Sequence, residues 1–383
     1  MKNYEVIIVG AGPAGALAGF HLARAGLEVC LFDKSQFPRR KVCGGGLTRR
    51  ALLEIPFDVT PIIHQAVDWG EIRFRGRLVK RVQGDKPIAY MVDRASFDAL
   101  LLDQAVAQGA RQQLGERVIS ISQDNDAVQV QTNQNGYRCR YLIGADGVHS
   151  TIAHQTGLLL KRRTSLAYEA LMTHQTSPED SMHESANFDF GTILGGYGWI
   201  FPKRDHLNVG VCRSWPGKRA SKHHLLRFID QHPALDRDRI INIRSYPVPL
   251  GGEETILHNN HILLAGDAGN LADPWLGEGL YYAVVSARIA AEAIQRHAKG
   301  GSPDLSGYTS EINDQLISQM AYARRLSLLI NALPGINVAL LKSSPTLQKM
   351  IIDLLRGDQS YQQVWQSLKA HPLRLLWGIL QGK

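Results

Sequence analysis

Residues 6–33 carry a pattern that few folds accommodate. Val6-Ile7-Ile8-Val9 is a continuous β-strand-like run, and Gly10-Ala11-Gly12-Pro13-Ala14-Gly15 follows it directly. Residues 13–25 are rich in Ala and Leu, Gly26 stands where a helix would end, and residues 28–32 turn apolar again. The order predicts strand, glycine turn, helix and strand, one βαβ unit of a parallel sheet. In a G-x-G-x-x-G placed so, Gly10 permits the tight turn, Gly12 lets the backbone approach a pyrophosphate, and Gly15 lets helix and strand pack closely. Asp33 ends the second strand, where a carboxylate accepts hydrogen bonds from an adenosine ribose and repels a 2′-phosphate. Ala14 and Lys34 belong to the same predicted dinucleotide site.

The 383 residues, 44 % hydrophobic and 20 % charged, suffice to bury a core of about two lobes and exclude a disordered chain. The net charge of +8 comes from Lys and Arg that are scattered, apart from pairs such as Arg39-Arg40 and Arg162-Arg163, so no nucleic-acid partner is expected. Cys30, Cys43, Cys139 and Cys212 include no Cys-x-x-Cys pair, so neither a metal site nor a dithiol is expected. A reduced, cytoplasmic setting is the expectation, since the first strand leaves no room for a cleavable leader. Residues 326–341 are the longest uncharged apolar stretch, and Pro334-Gly335 interrupts it.

Further along, residues 68–91 read as short alternating strands, 94–109 as an amphipathic helix, and 160–255 as a second sheet rich in aromatics. A buried strand at Ile262-Leu263-Leu264 leads to an Ala-rich helix over 277–297, and helices follow to Trp377-Gly378-Ile379-Leu380. The expected architecture is α/β. A Rossmann-type lobe with a parallel sheet, discontinuous in sequence, comprises residues 1–67, 93–160 and 256–300. An inserted antiparallel β-sheet substrate lobe comprises 68–92 and 161–255, and a helical region comprises 301–383.

Two later motifs identify the dinucleotide. Ile143-Gly144-Ala145-Asp146-Gly147 with Ser150, and Leu264-Ala265-Gly266-Asp267-Ala268 with Pro274, Gly277 and Gly279, resemble the second and third fingerprints of FAD-dependent oxidoreductases of the para-hydroxybenzoate hydroxylase type. The resemblance implies FAD, with Asp146 and Gly147 at the cofactor and Asp267 on the ribityl chain. It also implies that the helix beginning near Leu280 faces the flavin's pyrimidine edge, where its dipole stabilises negative charge. Arg94, in Val92-Asp93-Arg94, matches an arginine of that group that reaches the cofactor. The arginine that often closes the second fingerprint is replaced here by Ala153.

Lys41-Val42-Cys43-Gly44-Gly45-Gly46-Leu47 and Tyr197-Gly198-Trp199-Ile200-Phe201-Pro202 resemble the K-x-C-G-G-G-L and Y-x-W-x-F-P segments of the geranylgeranyl reductase family. Gly210 also fits that family's pattern, while Cys212 stands where it has a second glycine. The resemblance covers nearly the whole chain and implies reduction of isolated C=C bonds of a prenyl chain, by hydride from reduced flavin with coupled protonation. Lys41, Gly44 and Gly45 would then approach the flavin, and Tyr197, Trp199, Phe201 and Pro202 would line a groove for the substrate. Cys43, Tyr197 and Glu278 are the candidate proton sources, with Gly45 beside them at the reacting centre. The electron donor would be NADPH or reduced ferredoxin, the latter an acidic partner that a basic chain attracts. The substrate could carry a diphosphate, a chlorophyll-type ester, a quinone or a lipid head group. Cations flanking residues 326–341 suggest peripheral membrane attachment. The rival reading is a flavin monooxygenase of the same fold acting on an apolar substrate, and a non-catalytic flavin carrier is a third.

Overall fold

The computed structural model describes residues 1–124, 126–158, 163–174, 184–214, 219–302, 304–332 and 334–370. Arg162, Leu333 and the expected terminal helix around Trp377 lie outside the described residues. The chain opens with β1 (Lys2–Val9), α1 (Pro13–Arg24) and β2 (Val29–Asp33). Then come β3 (Gly46–Thr48), α2 (Arg49–Leu53), β4 (Ile63–Val67), β5 (Trp69–Phe74), β6 (Arg77–Gln83), β7 (Ala89–Val92) and α3 (Arg94–Ala107). β8 (Arg111–Leu114), β9 (Val118–Gln123), β10 (Val128–Thr132), β11 (Gly136–Gly144) and α4 (Thr151–Thr156) complete the first half. The second half holds β12 (Thr164–Thr173), β13 (Ser185–Phe190), β14 (Gly196–Pro202), β15 (His206–Arg213), α5 (Lys222–Gln231), β16 (Ile240–Pro249) and β17 (Ile262–Leu264). It ends in α6 (Leu280–Ala298), α7 (Ser306–Ile312), a π-helical stretch at Asn313–Ile317, α8 (Ser318–Ala332), α9 (Pro334–Ser343), α10 (Pro345–Arg356) and α11 (Tyr361–Ala370).

The first sheet runs β8-β2-β1-β11-β10-β9, with β17 also on β11. β11 serves three neighbours. β1 pairs along its whole length, while residues 136–139 pair antiparallel with β10 and residues 142–144 parallel with β17. Val6, Ile7, Ile8, Leu31, Leu142, Ile143 and Leu263 are fully buried, as expected of parallel strands covered on both faces. Helices α1, α3 and α6 pack together over this sheet. Three pieces distant in sequence thus form one Rossmann-type layer, with its parallel strands ending near Gly10, Asp33, Ala145 and Ala265.

The second sheet runs β16-β12-β15-β14-β13-β5-β6 and is antiparallel except for the parallel pair β13–β5, where the early hairpin joins the later strands. Its two faces differ. Ile200, Val209, Val211, Ala170 and Met172 pack with Leu225, Phe228 and Ile229 of α5. Tyr197, Trp199, Phe201, Phe188 and Phe190 gather on the other face. The all-strand expectation for 160–255 missed α5, which Ser221 and His224 start with a reciprocal capping box. The sequence reading also assigned residues 89–92 to the substrate lobe, but β7 pairs with β3 and β4 in a separate three-stranded sheet. The Ala-rich helix begins at Leu280 rather than residue 277, because Gly277 takes a left-handed conformation (φ +67°).

No single helix among the described residues is long and apolar enough to cross a membrane. The segments Ser306–Ala332 and Asn337–Ser343, which have enough length and apolar composition together, are bent 99° apart.

Candidate functional site

A cavity of about 550 Å³ lies along the carboxyl ends of the parallel strands and reaches the aromatic face of the second sheet. Asp33, Lys34, Glu116 and Val118 line one end, Gly12, Ala14 and Arg39 the middle, and Glu169, Trp199, Cys212 and Val248 the other. The position follows from the topology, since ligands of open α/β sheets bind where parallel strands end.

The glycine turn is closed by direct contact. A Cβ on Gly10 would sit 2.3 Å from the Ala145 carbonyl oxygen, and one on Gly15 would sit 1.8 Å from that of Gly10. No side chain caps the N-terminus of α1, and Gly12, Pro13 and Ala14 form the cavity wall there. Its free N–H groups therefore suit a pyrophosphate. Asp33 accepts from the N–H groups of Ala11 (3.0 Å) and Ser35 (2.9 Å), which fixes its carboxylate at the ribose end. A second uncapped helix, α6, begins at the opposite end behind Gly277 and Gly279. Carboxylate, helix N-terminus and second helix N-terminus in this order fit FAD in an extended form.

Arg94 is buried at the start of α3, with a bidentate pair to Asp98 (2.8 and 2.9 Å), and it lines the cavity. Asp98 also takes Arg39 at 3.3 Å. Arg39, of the Arg39-Arg40 pair, rests 3.2 Å from the position of a Gly12 Cβ and puts a cation beside the uncapped start of α1. Lys41 lies over the Tyr246 ring, 3.1 Å from its centroid, and burial pulls its amine down to about 8. Asp146 Oδ2 accepts from the N–H groups of Thr151 (2.7 Å) and Ile152 (3.4 Å), so it holds α4 while lining the cavity, and burial raises its carboxyl pKa. Gly147 and Asp267 also line it.

At the far end the register sets the chemistry. Trp199, Gly210 and Glu169 occupy one row across β14, β15 and β12, and Tyr197, Cys212 and Ala167 the next. The Trp199 indole lies across Gly210, where a Cβ would be 2.0 Å from the ring. Its Nε1 donates to Asn208 Oδ1 (2.8 Å). Asn208 Nδ2 in turn donates to Glu169 Oε2 (3.2 Å) and to the Cys43 carbonyl (3.3 Å), and the Cys43 N–H donates to the same Glu169 oxygen (3.0 Å). Gly44 runs beneath the rings of Phe201 and Trp199, where a Cβ would stand 3.1 Å from the phenyl ring and 3.2 Å from the indole nitrogen. Gly45, with φ +63°, is held by the buried Lys203, whose Nζ donates to the carbonyls of Gly45 (2.8 Å) and Val92 (3.1 Å).

Of the three candidate proton sources, Cys43 lines the cavity. Tyr197 donates its hydroxyl to the Leu276 carbonyl, and burial pushes the phenol well above its ordinary value. Glu278 is outside the cavity wall, ion-paired with Arg50 and hydrogen-bonded to Thr48, so it anchors the turn before α6. Gly15, Gly45, Pro274, Phe201 and Pro202 are likewise behind the wall and support it. The sequence reading missed Glu169 and Asn208. Glu169 is the one charge in the ten-residue strand β12, a signal that was available.

Residues 3–189 match the FAD binding domain family. The menaquinone reductase of Mycolicibacterium smegmatis is 30 % identical over 355 residues, covering 85 % of this chain and 84 % of that protein. The geranylgeranyl diphosphate reductase of Rhodobacter capsulatus is 28 % identical, covering 79 % and 77 %. A geranylgeranyl bacteriochlorophyll reductase-like structure from Thermoplasma acidophilum superposes with a TM-score of 0.79 at 24 % identity, covering 97 % and 99 %. The whole-length similarity and the cavity together place the chain in the geranylgeranyl reductase family of FAD-dependent oxidoreductases.

Proposed function

We propose that this protein saturates isolated C=C bonds of a polyisoprenyl chain, using FAD reduced in place by NADPH or a reduced ferredoxin. The observation that carries the reading is Trp199, which lines the end of the cavity opposite Asp33 and, with Phe201 packed behind it, meets the Cys43-Gly44 segment there. Aromatic rings offer a long apolar chain a large contact area with no polar group left unpaired. When bound, FAD supplies the hydride. The chain's own residues hold the alkene flat against the cofactor, exclude water and deliver a proton. Gly44, in the cavity wall, brings backbone close to the ring, and Trp199, fixed through Asn208, sets the depth to which the alkene enters. The relatives are named for a quinone, a prenyl diphosphate and a chlorophyll-type substrate, so the shared element is the prenyl chain and the head group lies outside the aromatic wall. Leu328 and Leu329, exposed on α8 near Arg324 and Arg325, support contact of this region with an anionic membrane surface that stores such lipids.

The test is anaerobic. Dithionite-reduced holoenzyme is mixed with geranylgeranyl diphosphate or a menaquinone, and the product mass is measured. A gain of two hydrogens per bond supports the reading. An oxygen-containing product formed only after air is admitted would replace it with the monooxygenase reading.

A further inference from the structure

We infer that Glu169 is the proton donor for alkene reduction, an inference that rests on the prenyl-reductase reading above. Glu169 is 2 % exposed, projects from β12 on the same face as Ala167, and lines the cavity beside Trp199 and Cys212. Both of its side-chain hydrogen bonds among the described residues, from the Cys43 N–H and Asn208 Nδ2, fall on Oε2. In the acid form the oxygen that accepts two N–H donors must be the carbonyl oxygen, so Oε1 then carries the proton. No hydrogen bond from a described residue occupies Oε1, which leaves that O–H free for the cavity. Burial raises the carboxyl pKa and favours the acid form, outweighing the hydrogen bonds from Asn208 and the Cys43 N–H and the cations Arg40 and Lys203, which all favour the carboxylate, while Cys43 is the other titratable group at hand.

One alkene carbon takes a hydride from reduced flavin, forming a C–H bond with both electrons. The π pair of the alkene takes the proton of Glu169, breaking its O–H bond and forming the second C–H bond. The alkene is reduced, the flavin is oxidised, and the Glu169 carboxylate regains a proton from water. A trialkyl alkene has no carbonyl to polarise, so positive charge grows on its tertiary carbon. An acid aimed into the cavity offers the electron-rich double bond its proton while the hydride arrives.

Two measurements test this. Infrared difference spectra of the holoenzyme, without substrate, should show a protonated-carboxyl band that shifts in D2O, persists above the ordinary glutamate range and is absent from Glu169→Gln. Anaerobic reoxidation of the reduced enzyme by geranylgeranyl diphosphate should be slower by ~10²-fold or more in Glu169→Gln. The wild-type rate should fall as pH rises through the titration of that band, a dependence that Cys43→Ala retains and Glu169→Gln loses. Wild-type turnover matched by Glu169→Gln, or absence of the band from the wild type, overturns the assignment alone. A wild-type enzyme that is not reoxidised by any prenyl substrate overturns the prenyl-reductase reading and the donor with it. If Glu169→Gln fails to fold, the wild-type band and its pH dependence decide.

Discussion

Replacing Gly210 by alanine tests how the aromatic face is built. Gly210 is not among the residues with positive φ, so its backbone accepts alanine, and any cost must come from packing. The added Cβ would stand 2.0 Å from Trp199 Cζ2 and 2.4 Å from Cε2 and Cη2, and the obstacle is a rigid ring in a buried sheet. The indole must therefore leave its place and break its 2.8 Å hydrogen bond to Asn208. Crowding a packed core costs ~1–3 kcal/mol, and a buried amide oxygen left without its donor costs a further ~1–3 kcal/mol. Urea unfolding should show a loss of about 2–6 kcal/mol with an unchanged slope against denaturant. FAD should still bind, because the α1 turn and Asp33 lie at the other end of the cavity. Prenyl-chain affinity should fall, since the displaced indole blocks or empties the aromatic wall. A variant with wild-type stability and wild-type prenyl binding would refute the packing of Trp199 on Gly210.

Gly12→Val puts a branched side chain between Arg39 and the uncapped start of α1, and the purified protein is expected to lack FAD by absorbance; full flavin content would contradict the pyrophosphate assignment. Trp199→Ala should cost ~3–5 kcal/mol as a buried aromatic truncation and weaken prenyl binding in a fluorescence titration while flavin content stays unchanged. Lys203 is pulled down to about 8 by burial, below the ~10.4 of an unfolded lysine. Between those values the unfolded chain holds a proton that the folded chain lacks, so this group makes stability rise with pH across the window. Its penalty is full below pH 8. Urea melts across the window should show a shallower rise for Lys203→Met, and an unchanged slope would contradict the burial of a protonatable amine there.

The Rossmann-type layer was legible because its signals are local. A β-branched run, three glycines and an Ala-rich stretch fall within one short segment, and each glycine's spacing has a mechanical reason that the contacts of Gly10 and Gly15 bear out. The alternation of Tyr197, Trp199 and Phe201 likewise placed the three on one face. Helix α5 was missed because residues 222–231 sit inside a long aromatic and β-branched stretch, whose alternation masked a helical period and a serine cap. The polar network at the substrate end could not be read in the same way. Glu169, Asn208 and Cys43 meet through strand register and through a loop more than a hundred residues away, and register is a long-range property that local pattern does not encode. Glu278 illustrates the converse: its sequence position beside the cofactor motif suggested chemistry, while Arg50 and Thr48 engage its carboxylate away from the cavity.

If one cavity joins the FAD cradle to a prenyl-binding wall, electrons pass directly between the two. The most direct measurement is anaerobic stopped-flow mixing of the reduced holoenzyme with geranylgeranyl diphosphate, and separately with the fully saturated chain on the same head group. Oxidised-flavin absorbance should return with the unsaturated chain only. Flavin that stays reduced with the unsaturated chain, or is reoxidised equally by the saturated one, would contradict that direct passage.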